Sequence, residues 1–78
     1  MKKIVVYGPG CAKCHQAEEV VRRVVAESGA EAEVVKVSDF GQMAKAGILS
    51  TPAVAIDGVV KLSGRVPTPD QIKGWLAE

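Results

Sequence analysis

Tyr7-Gly8-Pro9-Gly10-Cys11-Ala12-Lys13-Cys14-His15 holds both cysteines, the only histidine and two of the eight glycines of this 78-residue chain. Just upstream, Ile4-Val5-Val6-Tyr7 is an unbroken apolar run with the length and β-branched content of a buried strand. Downstream, Ala17, Val20, Val21, Val24, Val25 and Ser28 recur at helical spacing and share one face. The cysteines therefore stand where a strand hands over to the first turn of a helix. A helix start carries unpaired backbone N–H groups and the positive end of the macrodipole, and both favour a thiolate at Cys11. Lys13, between the cysteines, adds a positive charge close by.

Composition limits what such a pair of thiols can serve. With 47% hydrophobic and 24% charged residues the chain is that of a folded globular protein, not a disordered tail. A chain of this size buries only about 60% of its unfolded surface, so its stability margin is small. The net charge of +1 is spread without a basic or acidic block, and one Phe, one Tyr and one Trp offer little for base stacking. No nucleic-acid partner and no membrane association are expected. Met1-Lys2-Lys3 is followed by only a short apolar run, too short for the core of a signal peptide, and no segment approaches the ~18 apolar residues of a membrane span. The expected location is the cytoplasm, where thiols stay reduced. A Cys-x-x-Cys pair there is expected to do chemistry, because a disulfide closing so short a loop adds little stability. The expectation is a monomer with one domain over residues 1–78.

Along the chain, the first strand is expected at Lys3 to Tyr7, in a central position with both faces covered. The helix is read from Ala12 to Ser28, with Gly29 as its stop and Glu18–Arg22 and Glu19–Arg23 as i,i+4 ion pairs. Its many valines run against helix propensity, so packing has to hold it. Ala32 to Val37 reads as a second strand, placed parallel beside the first by a right-handed crossover. Ser38 or Asp39 then caps a short helix, Asp39 and Gln42 having capping-box spacing, and Gly47 ends it. Thr51-Pro52 leads into Val54-Ala55-Ile56. Asp57-Gly58 turns this into the antiparallel Val59-Val60-Lys61-Leu62, which Gly64 closes. Thr68-Pro69-Asp70-Gln71 opens a last helix with a cap and a proline at its first position, burying Ile72, Trp75 and Leu76. The order βαβαββα predicts an α/β fold: a four-stranded mixed sheet with helices on both faces.

Three features occur together: Cys11-Ala12-Lys13-Cys14 after the first strand, Thr51-Pro52 before the third, and Gly64 after the fourth. On these residues the chain resembles the thioredoxin-fold superfamily, and more narrowly the small thioredoxin-like or glutaredoxin-like redox-active disulfide proteins of prokaryotes. The resemblance covers nearly the whole chain. It implies a thiol–disulfide oxidoreductase that reduces protein disulfides through a dithiol/disulfide cycle, with no cofactor and no metal. Cys11 would be the exposed nucleophile and Cys14 the shielded resolving thiol. Thr51 and Pro52 would bind substrate, with Pro52 cis and packed against the disulfide and the Thr51 backbone pairing to an extended segment. The implied partners are disulfide-containing proteins and, as electron donor, a reductase or a low-molecular-weight thiol. The chain departs from the family pattern at several points. Gly10 replaces the tryptophan that often precedes the motif, and Ala12-Lys13 replaces Gly-Pro. No acidic residue in the first half of the chain clearly matches the buried carboxylate of thioredoxins. Ser63-Gly64-Arg65 stands where glutaredoxins carry a glycine-glycine-acid signature.

The same residues admit other readings. Cys11-Ala12-Lys13-Cys14-His15 matches a c-type haem attachment site, with Met43 as a second axial ligand, but that chemistry needs export and the predicted hairpin fits it poorly. A soft-metal carrier for Cu(I) or Zn is the alternative from another class. Copper carriers with this motif end on a strand, whereas this chain is predicted to end on a helix. His15 reads as an exposed first-turn residue, Trp75 as core, and Tyr7 as core at the edge of the site. Pro9 and its flanking glycines shape the loop before the thiols, either to admit a partner's backbone or to supply positive φ.

Overall fold

A computed structural model describes residues 2–10 and 12–78. Its elements are β1 (Lys2–Tyr7), α1 (Ala12–Ser28), β2 (Ala32–Val37), α2 (Phe40–Lys45), β3 (Ala53–Ile56), β4 (Val59–Ser63) and α3 (Pro69–Leu76). This is the βαβαββα order expected from the sequence. The strands lie in the order β2-β1-β3-β4. β1 pairs parallel with β2, from Lys2 opposite Ala32 to Tyr7 opposite Val37, and antiparallel with β3, from Ile4 opposite Ile56 to Tyr7 opposite Ala53. The sheet is thus mixed, with the strand that precedes the cysteines in its interior.

Side-chain alternation along the strands divides the core into two layers. On one face Ile4 and Val6 of β1 and Val54 and Ile56 of β3 meet Ala17, Val21 and Val24 of α1 and Ile72 of α3. Val21 and Val24 are essentially fully buried, which explains how a valine-rich helix persists against its intrinsic propensity. On the other face Met43 of α2, Ile48 and Ala53 pack together, with Tyr7 against them. Helices therefore cover both faces, as expected, but unequally. α2 is short and reaches only the Tyr7 end of the sheet, so Val5, on that face, stays half-buried. The strand buried at every position is β3, not β1 as the apolar run suggested.

Local signals act as their chemistry requires. Asp57 (φ 51) and Gly58 (φ 85) both take the left-handed conformation of a type I′ hairpin turn, whose twist suits the two strands it joins. The β3–β4 register shifts between Val54, opposite Leu62, and Ala55, opposite Val60, so Lys61 is the extra residue of a bulge that increases the local twist of the edge strand β4. Thr68 caps α3 in a full capping box. Its hydroxyl accepts from the Gln71 N–H (3.2 Å), while Gln71 Oε1 accepts from the Thr68 N–H (3.0 Å). At α2 the cap is Asp39, but its carboxylate accepts from Gly41 N–H at 2.8 Å, and the reciprocal bond expected from Gln42 does not form. Glu18 and Arg22 pair at 2.9 Å, whereas Glu19 and Arg23 form no ion pair among the described residues. Trp75 and Leu76 are half-buried against the core and Ile72 is fully buried.

Ile72 is thus the anchor of α3. Ile72→Ala is expected to lower unfolding free energy by about 2–5 kcal/mol, and Thr68→Ala by about 1 kcal/mol through loss of the cap. Urea midpoints measure both. A loss below about 1 kcal/mol at Ile72 would mean that α3 is not held by this contact.

Candidate functional site at the C-terminal end of β1

The site forms where the sheet runs out. Past Tyr7, the Gly8 N–H donates to the Val37 carbonyl at 2.9 Å, extending the parallel ladder by one residue. Continuing the β1–β3 register in the same way sets Gly8 opposite Pro52. Beyond the Ala53–Ser63 pair, the Gly64 N–H donates to the Pro52 carbonyl at 2.9 Å. Gly8, Pro52 and Gly64 thus form one row across the end of the sheet, one residue beyond the Val37–Tyr7–Ala53–Ser63 row. Pro52 has no N–H to donate, so it suits the start of a strand where the ladder to β1 stops. The Thr51-Pro52 peptide bond is cis. Pro52 is fully buried and Thr51 is half-buried.

Cys14 drops onto this row from the first turn of α1, where it is fully buried. A Cβ added at Gly8 would overlap the Cys14 sulfur and lie 2.7 Å from its Cβ, closer than any side chain tolerates. Gly8 is therefore glycine because the sulfur occupies the space that a side chain would need. Of the glycines flanking Pro9, expected to shape the loop, Gly10 does take positive φ (102°). Gly8 is in addition a packing partner of Cys14, which its sequence context did not show. A glycine at the end of an apolar strand, where a backbone or ligand comes close, is the signal that could have shown it. At Gly64, a Cβ would lie 3.3 Å from that of Ser50, in the segment that leads to Thr51.

Of the sequence-predicted site residues, Cys14, Thr51 and Pro52 converge here, and Cys11 lies outside the described residues. Lys13 and His15 are exposed on the outer side of the same helical turn. Lys36 Nζ lies 3.5 Å from His15 Nδ1 and 3.6 Å from Glu18 Oε1, tying β2 to the start of α1. Arg22 binds the other oxygen of the same carboxylate, its Nε donating at 3.0 Å. Tyr7 packs beneath the end of the sheet on the α2 face.

The hydrogen bond from Arg22, and then the charges of Arg22 and Lys36, hold the Glu18 carboxyl below its ordinary value of 4.5, with partial burial opposing them. A depressed folded pKa means that the contribution to stability is present above the unfolded value and is lost as pH falls through the folded one. The stability advantage of the wild type over Glu18→Gln should therefore shrink as pH is lowered from about 6 to about 3. It should stay within the roughly 1 kcal/mol usual for exposed pairs. Urea titrations across that range check this, and an advantage that grew towards acid would contradict the pairing. Gly8→Ala is expected to cost about 1–3 kcal/mol by overpacking against Cys14. In a Cys14→Ala background part of that loss should be recovered, since the sulfur is gone. Equal losses in the two backgrounds, measured under reducing conditions, would show that the sulfur is not what crowds Gly8.

Sequence comparison agrees with this architecture. The family described as the thioredoxin domain matches residues 2–77. A thioredoxin of Methanothermobacter thermautotrophicus is 41% identical over 77 residues, covering 99% of this chain and all of that protein. A thioredoxin of Methanocaldococcus jannaschii is also 41% identical, over 73 residues, covering 94% of this chain and 84% of its own. A match over nearly the full length, on a chain that folds into this sheet with Cys14 and Pro52 brought to one end of it, means that the protein belongs to the thioredoxin family.

Proposed function

We propose that this protein is a thiol–disulfide oxidoreductase that reduces protein disulfides by cycling Cys11 and Cys14. The observation that carries this reading is the placement of Cys14: fully buried in the first turn of α1, against the glycine that ends β1 and at the same sheet end as Pro52. A sulfur held there is shielded from outside reactants, as the resolving thiol of such a cycle has to be. The names of the two archaeal relatives support the same class of activity.

In the proposed cycle the Cys11 thiolate attacks one sulfur of a substrate disulfide. A Cys11–substrate bond forms, the substrate S–S bond breaks, and the other substrate sulfur leaves as a thiolate. The Cys14 thiolate then attacks Cys11, forming the Cys11–Cys14 disulfide and releasing the second substrate thiolate. Two electrons pass from the protein to the substrate, and the protons shed by the two cysteines balance those taken up by the two product thiols. A reductase or a low-molecular-weight thiol then restores the dithiol by the reverse exchange. Thr51 would pair through its backbone with an extended substrate segment, and Pro52 would pack against the reacting sulfurs. In this role the protein would act in the cytoplasm as a monomer of one domain, on proteins and not on nucleic acid or membranes. Among the described residues no helix is long and apolar enough to cross a membrane.

Cys11→Ser is expected to abolish reduction of a model protein disulfide. Cys14→Ser should instead accumulate a mixed disulfide with substrate, visible by mass as a covalent adduct that dithiothreitol releases. A redox titration with alkylation and mass counting should show one two-electron transition in the wild type. Persistent activity in Cys11→Ser, or absence of an internal disulfide at every poise, would rule the mechanism out.

A further inference from the structure

Among the described residues Asp57 is the one non-glycine with a positive φ, at 51°, and Gly58 follows it at 85°. Both are exposed, at the end of the sheet away from the cysteines. Asp-Gly is also the dipeptide in which a backbone nitrogen most readily attacks the preceding side-chain carboxyl, because no Cβ crowds the glycine. The hairpin turn thus carries a reactive linkage that the proposed redox cycle does not use.

Two hydrogen bonds clasp this turn to β1. The Asp57 N–H donates to the Lys3 carbonyl at 2.9 Å, and the Lys3 N–H donates to Asp57 Oδ1 at 2.9 Å. A hydrogen-bonded antiparallel pair ordinarily exchanges two backbone N–H···O=C bonds. One step beyond Ile4 opposite Ile56, the Asp57 carboxylate takes the place of its own backbone carbonyl in that exchange.

The clasp keeps the reactive groups apart. In the left-handed region ψ is positive as well as φ, which sets the Gly58 nitrogen across the Cα–C bond from the Asp57 side chain. The bond from Lys3 then holds the carboxylate on that far side. Ring closure between the two groups requires rotation of both, and hence opening of the clasp.

We propose that Asp57-Gly58 is a self-modification site at which isoaspartate forms, gated by the contact with Lys3. When the clasp opens, the Gly58 nitrogen attacks the Asp57 side-chain carboxyl carbon. A C–N bond forms and a carboxyl C–O bond breaks; the oxygen leaves as water, with the proton of the nitrogen and that of the carboxyl group. Water then adds to either carbonyl of the resulting succinimide, restoring aspartate or leaving isoaspartate. No electrons are transferred, and the water lost is regained. Isoaspartate routes the backbone through the side-chain carbons and so adds one atom to a two-residue turn. The same two bonds to Lys3 can then no longer close, and the product keeps the clasp open. The inference stands independently of the redox reading.

The test holds prereduced full-length protein at neutral pH, in buffer and in denaturing guanidinium chloride, and counts isoaspartate at position 57 by electron-transfer mass spectrometry. Native wild type should accumulate it at least about tenfold more slowly than denatured wild type, since conversion runs only through the open fraction. Lys3→Pro lacks the clasping N–H and should raise the native rate several-fold. Ile72→Ala destabilises the fold at a distance and should leave the native rate near that of wild type. Asp57→Glu, whose ring would have six members, should form no such product. Equal rates in native and denatured wild type, a comparison that needs no variant to fold, would overturn the gating. Absence of isoaspartate in both would overturn the site, and an Ile72→Ala rate raised as far as that of Lys3→Pro would overturn the role of the clasp.

Discussion

The close approach of Gly8 to Cys14 is the constraint on which the rest of the structure depends. The first turn of α1 must come down onto the end of β1 closely enough to bury a sulfur, and only a residue without a side chain lets it. For β1 to present that residue at a fixed place, it must be held on both sides, by β2 in parallel and by β3 antiparallel. For α1 to hold its sulfur there, the helix must be clamped along its length by Ala17, Val21 and Val24 against the sheet and Ile72 of α3. The core thus acts as a positioning device as well as a source of stability.

The unequal covering of the sheet has a functional side. The layer with α1 and α3 holds the larger cluster of buried apolar side chains, whereas α2 covers only the end of the opposite face near Tyr7 and Ala53. That short helix and the turn after it place Ile48 inward and Leu49 outward, and lead within a few residues to Thr51 and Pro52. Burial of Ile48 therefore anchors the segment on which the proposed substrate contacts lie. Polar interactions are peripheral by comparison: the Glu18–Arg22–Lys36 group and the Lys61–Glu78 pair at 2.6 Å are on the surface, where ion pairs contribute little.

The amino-acid sequence by itself determined the element order, the hairpin and the last helix, because each rests on local chemistry. Asp57-Gly58 can take the positive φ that a two-residue turn demands, and Thr68 with Gln71 closes a cap within one helical turn. The valine stripe fixed which side of α1 faces inward, and the cysteine spacing together with Thr51-Pro52 pointed to the family. Only tertiary structure decided the rest. That β3, and not β1, is buried on both faces depends on how far α2 reaches, which no apolar run encodes. That Asp39 bonds Gly41 while Gln42 does not return the bond depends on side-chain geometry that spacing does not fix. The role of Gly8 and the outward placement of Leu49 were hidden for the same reason: each is set by residues distant in sequence that the sheet brings to one end, and a local pattern carries no record of what will be packed against it.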